Sequence, residues 1–407
     1  MKRKISDGFL QFLTGLSSFL AVAVLAGLFY YIFSEGVSTI NWNMLRGDYW
    51  SVSKIVAFDE AANQPGSYPR PQGLDESVAW SEKWGVGLVD VVSHEKEELV
   101  LIEMVAEDSP LRSAYDTSAG ASQGQSVDMT TGLQVEKLDY TDAQGKANFT
   151  GMLRSATAAE VAETLDQQAA HLTSIFVKTP GGGIRGSLIT TAYLIVVSLL
   201  IALPIGIASA VYLTEMAQKN KINSLIRTGI ETLTGVPSIV YGLMGVSVLF
   251  PITALMGATT TNIMLGALTM AIILLPTIIR STEEALLVVP KGLRDASLSL
   301  GASQTQTIFK ITLPCAMPGI LSGVLLSIGR VVGESAALIY TMGTFINDSP
   351  GLLKQGTSLA VHIWSIMSGE QPNYELACAI SIIILVFVLI LNIAVKLLTR
   401  RLQKSWH

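Results

Sequence analysis

The 407-residue sequence predicts an all-α polytopic membrane protein whose six spans are interrupted, after the first, by a polar α+β insert. Three observations predict it. Half of the residues are hydrophobic and only 14% are charged, with a mean hydropathy of +0.48. Six stretches approach the roughly 20 apolar residues that a helix needs to cross a bilayer with its backbone amides satisfied internally. Finally, residues 35–186 hold 22 acidic and 11 basic side chains, whereas the rest of the chain holds 10 and 16. The acidic excess therefore belongs to one polar segment.

Residues 1–34 read as a short basic tail and a first span. The run from Phe9 to Phe33 is longer than the apolar core of a signal peptide, and no clean small-x-small site follows, so a retained anchor is expected. Residues 35–186 form the insert. Glu98 to Val105 has strand character, and "SATAAEVAETLDQQAAHL" (155–172) has helical spacing with Ser155 or Thr157 as its cap. "ANQPGSYPRPQG" and "TSAGASQGQS" read as loops. His94 and His171 lack metal-ligand spacing and read as surface histidines, and no metal site is expected. Residues 187–407 hold the remaining spans, at about 188–213, 229–255, 262–280, 315–342 and 376–398. Gly235, Ser238, Gly242 and Gly245 place small residues on one side of the third span, which lets helices approach closely. Pro204, Pro237 and Pro276 are expected to kink their helices. Cys315 and Cys378 read as apolar packing, since one pair near span ends gives no disulfide or metal framework.

Charge sets the expected orientation. Lys2, Arg3 and Lys4 precede the first span, and Lys219, Lys221 and Arg227 follow the second. Arg280, Lys291, Arg294 and Lys310 lie between the fourth and fifth, and Lys396, Arg400, Arg401 and Lys404 close the chain. Six spans bring all four groups to one face, which the excess of basic residues marks as cytoplasmic. Both termini are then inside and the insert is outside.

The loop 281–314 is too apolar and too regular for a plain connection. Pro290 opens one helix, Gly301 ends it, and Ser303 caps another. Such a knob fits a groove in another protein, or lies on the bilayer surface as an amphipathic hairpin. Spacing does not separate the two. Asp295-Ala296-Ser297, then Gly301, then Ile311, Leu313 and Pro314 resemble the EAA loop of ABC importer permeases, with Asp in place of Glu and Ser in place of the second Ala. Over residues 186–404, "GVPSIVYGL", "IIRSTEEALLVVP" and "GRVVGESAALIYT" resemble the phosphate-specific permeases of the PstA type. The sister permease, PstC, shares the Arg-x-x-Gly-Glu element.

The resemblance implies a fold of the type I ABC importer permease kind, with 281–314 as the coupling loop to a dimer of ATPase subunits. It also implies a PstC-type sister permease and a periplasmic phosphate-binding protein, with the chain in the inner membrane among lipid. The chain itself has no G-x-x-x-x-G-K-[ST] phosphate loop, so ATP is expected to be hydrolysed by a partner, with no cofactor held here. No nucleophile–base or metal constellation occurs, so no catalytic residue is expected, and nothing points to nucleic acid.

Arg330 and Glu334 stand out inside the fifth apolar stretch. Counting about 1.5 Å per residue from Pro314 puts Arg330 roughly 24 Å along it. Charges at that depth face a cavity or a partner. One turn apart on a continuous helix, the two are expected to pair, either as a structural ion pair or as a gate or transient anion site. Two alternatives stay open: a permease for another oxyanion such as sulfate or molybdate, and a membrane-anchored phosphate-sensing scaffold with the insert as its working part.

Overall fold

The computed structural model describes all residues except 1, 60–62, 93–97, 119–122, 130–131, 153–154, 180, 219, 370–371 and 405–407, so His94 lies outside the described residues. The chain divides into two compact units, Arg46–Gly183 and the remainder.

The first of these is built on one antiparallel sheet. Its strands are β1 (Ser53–Ala57), β2 (Ala79–Ser81), β3 (Val86–Val92), β4 (Glu98–Val105), β5 (Tyr115–Asp116), β6 (Gln134–Thr141), β7 (Ala147–Thr150) and β8 (His171–Lys178). They run in the order β2-β3-β4-β6-β8-β1-β5, with β7 added beside β6. Val86 pairs with Val105 and Val92 with Glu98, with a bulge at Gly87/Leu88. A helix, Ala158–Gln167, contributes Val161 and Leu165 to a core that includes Trp84 and Ile175. Thr157 caps it in a capping box with Glu160. The helix stops five residues before the sequence pattern ends. His171 and Leu172 instead open β8, where Leu172, Ile175 and Val177 are buried against β6 partners. Pairing of His171 with Thr141 and Leu172 with Tyr140 outcompetes continuation of the helix, even though the two alanines before them favour it.

The second unit holds the spans: Leu10–Thr39, Arg185–Met216, Ser238–Leu255, Ile263–Val288, Gln304–Gly333 and Tyr374–Leu397. Span 4 is the central post. Two-thirds of its most apolar window (67%) is buried inside the protein, against none of span 1. Small residues set the contacts around it. A side chain at Gly206 would run into Ile278, and one at Gly323 would run into the Ser281 side chain. Pro204, Pro276 and Pro318 lie within spans 2, 4 and 5. The Ile184 amide donates to the Met44 carbonyl (2.8 Å), so span 2 starts beside the residue where the N-terminal segment leaves this unit.

Two spans differ from their expected form. The third is broken. Lys221–Thr234 is a separate helix capped by the Asn220 side chain, Gly235 ends it, and the chain turns through Val236 and Pro237 before Ser238 restarts it. Pro237 has no N–H and forces an extended residue before it, so the apolar run is continuous in composition but not in backbone. The fifth span is broken too. Its helix starts earlier than expected, at Gln304, passes through a widened turn at Ile308–Thr312, and stops at Gly333. Glu334 is extended (ψ 129°), and a new helix, Ala336–Met342, follows.

Candidate functional site

The break in span 5 falls on the Arg-x-x-Gly-Glu element. Gly333 resists helix continuation, and the Glu334 side chain offers the backbone an alternative partner. Its Oε1 accepts a hydrogen bond from the Ala337 amide (3.2 Å), which satisfies a donor at the start of the second helix. The expected Arg330–Glu334 pair is therefore not formed: the helix that would have stacked them one turn apart ends between them. No ion pair or hydrogen bond to Arg330 occurs among the described residues. Its half-buried side chain instead lines a groove of about 580 Å³ with Thr277 of span 4, Ser322 and Gly329 of span 5, and Asn392 of span 6.

The two broken spans meet. Gly242, just beyond the break in span 3, lies against the Ala337 backbone so closely that a Cβ would sit 2.8 Å from the Ala337 carbonyl oxygen. Only glycine allows this approach. Tyr241 beside it is buried, and its hydroxyl donates to the Leu233 carbonyl across the break (2.8 Å). The short helix that follows the break in span 5 is thus packed against the start of span 3. Of the expected small-residue stripe, Gly242 and Gly245 pack tightly, whereas Gly235 ends a helix.

The loop between spans 4 and 5 folds as a hairpin. Lys291–Ser299 is its first helix, containing Asp295, Ala296 and Ser297, with Asp295 and Ala296 exposed. Gly301 turns the chain at φ +85°, and Ser303 caps the second helix with Gln306 in a capping box. Ser297 and Thr307 join the two arms through their hydroxyls (2.9 Å). Ile311, Leu313 and Pro314 do not form a loop end. Ile311 lies in the widened turn, and Leu313 and Pro314 open the long helix of span 5, so the second arm runs without interruption into the membrane.

Among the described residues, three ion pairs fasten the span ends around the hairpin. Arg280 meets Glu231 (2.9 Å), Arg227 meets Glu283 (3.0 Å), and Arg294 meets Glu215 (2.7 Å). Arg294 also donates to the carbonyls of Leu286 and Val289, and the Gln304 amide donates to the Glu215 carbonyl. Sequence reasoning missed Glu215 and Arg294 as partners, as it missed Tyr241. The available signal was a lone acid closing span 2 and a lone base beside Asp295.

Outside the six spans, the helix Leu359–Met367 buries His362, whose Nδ1 meets the Ser187 hydroxyl (2.8 Å), itself 3.0 Å from Thr357. Burial pushes the His362 imidazolium down to a pKa of about 4, so the ring is neutral at pH 7.

Residues 202–404 match the family described as the binding-protein-dependent transport system inner membrane component. The chain is 37% identical to the probable ABC transporter permease protein YqgI of Bacillus subtilis, over 55% of this chain and 80% of that protein. It is 34% identical to the phosphate transport system permease protein PstA of Pasteurella multocida, over 54% of this chain and 79% of that protein. Among solved structures, an inward-facing MetNI methionine ABC transporter is similar over 54% of this chain and 95% of that one, with 22% identity and a TM-score of 0.43. Permeases of the matched family are transport subunits that work with a separate ATPase and a substrate-binding protein. Six apolar spans, the family match and the likeness to PstA proteins over about three-quarters of their length lead to one conclusion: this chain belongs to the binding-protein-dependent transport family, as a multi-pass inner-membrane, PstA-like permease subunit of an ABC importer.

Proposed function

We propose that the solute is inorganic phosphate and that Arg330 and Glu334 belong to its path, with Arg330 as the transient anion contact and Glu334 holding the helix break that frees it. The observation that carries this reading is the Arg330 guanidinium beside a groove, with no carboxylate partner among the described residues. A planar fork of donors at membrane depth suits a tetrahedral oxyanion that passes through. The phosphate permeases among the relatives support the choice of anion.

In this reading the chain forms half of the pathway with a PstC-type sister permease. Asp295, Ala296, Ser297 and Gly301 form the face that docks on an ATPase dimer, while Ile311, Leu313 and Pro314 carry its movement into span 5. ATP is hydrolysed by that partner, and this chain holds no cofactor. Both termini are cytoplasmic, residues 35–186 lie in the periplasm, and a phosphate-binding protein delivers from there. Uptake of labelled phosphate, sulfate and molybdate in a strain lacking the chain tests the reading. Restoration of phosphate uptake alone by the wild-type chain, and not by Arg330→Gln, supports it; recovery of sulfate or molybdate uptake instead overturns the assignment.

A further inference from the structure

The hairpin's second arm is covalently continuous with span 5, so movement of a docked ATPase reaches that span directly. Span 2 has no such continuity. It ends at Met216, 75 residues before the hairpin helix begins at Lys291. Yet its last turn is fastened to the hairpin from two sides. Glu215 accepts Arg294 from the first arm at 2.7 Å, and its backbone carbonyl accepts Gln304 from the second at 2.9 Å. Both charged side chains are largely covered, at 19% and 12% exposure, so this pair is shielded from water as exposed pairs are not. The same Arg294 Nη2 also donates to the Leu286 carbonyl, and Nη1 donates to the Val289 carbonyl, at the end of span 4. One guanidinium thereby ties the hairpin to spans 2 and 4 at once.

We propose that Glu215 and Arg294 are positioning residues that make the inner end of span 2 move with the docking hairpin, so that one ATPase movement displaces spans 2 and 5 together. Glu215 lies within Tyr212–Met216, where span 2 widens into π-helical turns, so the clasp grips a locally adaptable stretch of the span. Neither residue touches the ATPase or the solute in this scheme; both act through the hairpin.

The test uses the assembled transporter in proteoliposomes with Glu215→Ala, and with Arg294→Lys, which keeps the charge but loses the fork. Expected in both is ATP hydrolysis within about twofold of wild type, with solute moved per ATP reduced at least tenfold in Glu215→Ala and less in Arg294→Lys. A second readout does not depend on which solute is carried. Spin labels at Ala208→Cys in span 2 and Val248→Cys in span 3, both exposed positions, report their separation with and without ATP and vanadate. An ATP-dependent change in the wild-type background that vanishes with Glu215→Ala, while hydrolysis continues, is the expected result. A change that survives Glu215→Ala, a wild-type transport ratio in that variant, or loss of the ATPase from the complex would each overturn the proposal. Failure of the phosphate assignment alone would leave the label result intact.

Discussion

Arg330 shows how a single backbone break changes the energetics of a charge. Had the residue been locked to Glu334, removing it would strand a buried carboxylate at a cost of several kcal/mol. With the helix ending at Gly333 and Glu334 turned to cap Ala337, that penalty does not arise. Arg330→Gln is therefore expected to assemble with stability within about 1 kcal/mol of wild type, yet to lose uptake. Arg330→Lys keeps the charge without the fork and should retain roughly a tenth of the activity. Glu334→Gln, still an acceptor, should be milder than Glu334→Ala, which forfeits about 1 kcal/mol of capping. Thermal unfolding in detergent read beside vesicle uptake checks all four. His362 is the second titratable case. Its pKa in the fold, about 4, lies below the ordinary histidine value, so folding favours the neutral ring. Its contribution is complete above about pH 6.5 and is lost as pH falls towards 4, by up to about 3 kcal/mol. Comparing Tm at pH 7.5 and 4.5 should show this loss shrink in His362→Gln.

Among the elements, the hairpin has the most exacting local geometry. Gly301 sits at φ +85°, and nothing lies within 4 Å of where its Cβ would be. The cost of a side chain there is thus conformational, on the order of 1–2 kcal/mol for a β-branched residue and less for asparagine. Gly301→Val should leave membrane insertion intact but reduce co-purification of the ATPase or uncouple hydrolysis from uptake. Gly301→Asn should stay close to wild type. Equal behaviour of the two variants would show that the turn does not shape the docking face. Span 3 teaches the complementary lesson, since Gly242 is required for close approach rather than for its dihedral angles.

The molecule as a whole separates its acidic unit from its apolar one. A net charge of −11 over residues 35–186 would repel an incoming dianion at low salt, which argues against the insert as the anion site. Met44 and Ile184 are hydrogen-bonded neighbours, so the chain leaves and rejoins the membrane unit at adjacent points. Replacing residues 47–182 with a short Gly/Ser linker should therefore preserve assembly and spare part of the uptake. Complete loss of transport from an assembled variant would place the insert in the transport path.

Much of this architecture is legible in one dimension because its causes are local. Span length follows from apolar runs, the hairpin turn from Gly301 and the Ser303 cap, the insert helix start from Thr157 with Glu160, and β4 from its own residues. The same locality explains the errors. Hydropathy sums side-chain preferences over many residues, so it reads straight through Gly235–Pro237 and Glu334–Ser335, where the flanking side chains are apolar while the backbone leaves the helix. It also extended a helix into His171 and Leu172, whose state is set by β6 across the sheet. The Arg330 environment and the Glu215–Arg294 clasp join residues tens of positions apart. Sequence alone determined which segments are long and apolar enough to cross the membrane and where the hairpin loop turns. Only the tertiary structure decided which charges meet, because partnership depends on where separate helices end beside one another, and no periodicity within one helix records that.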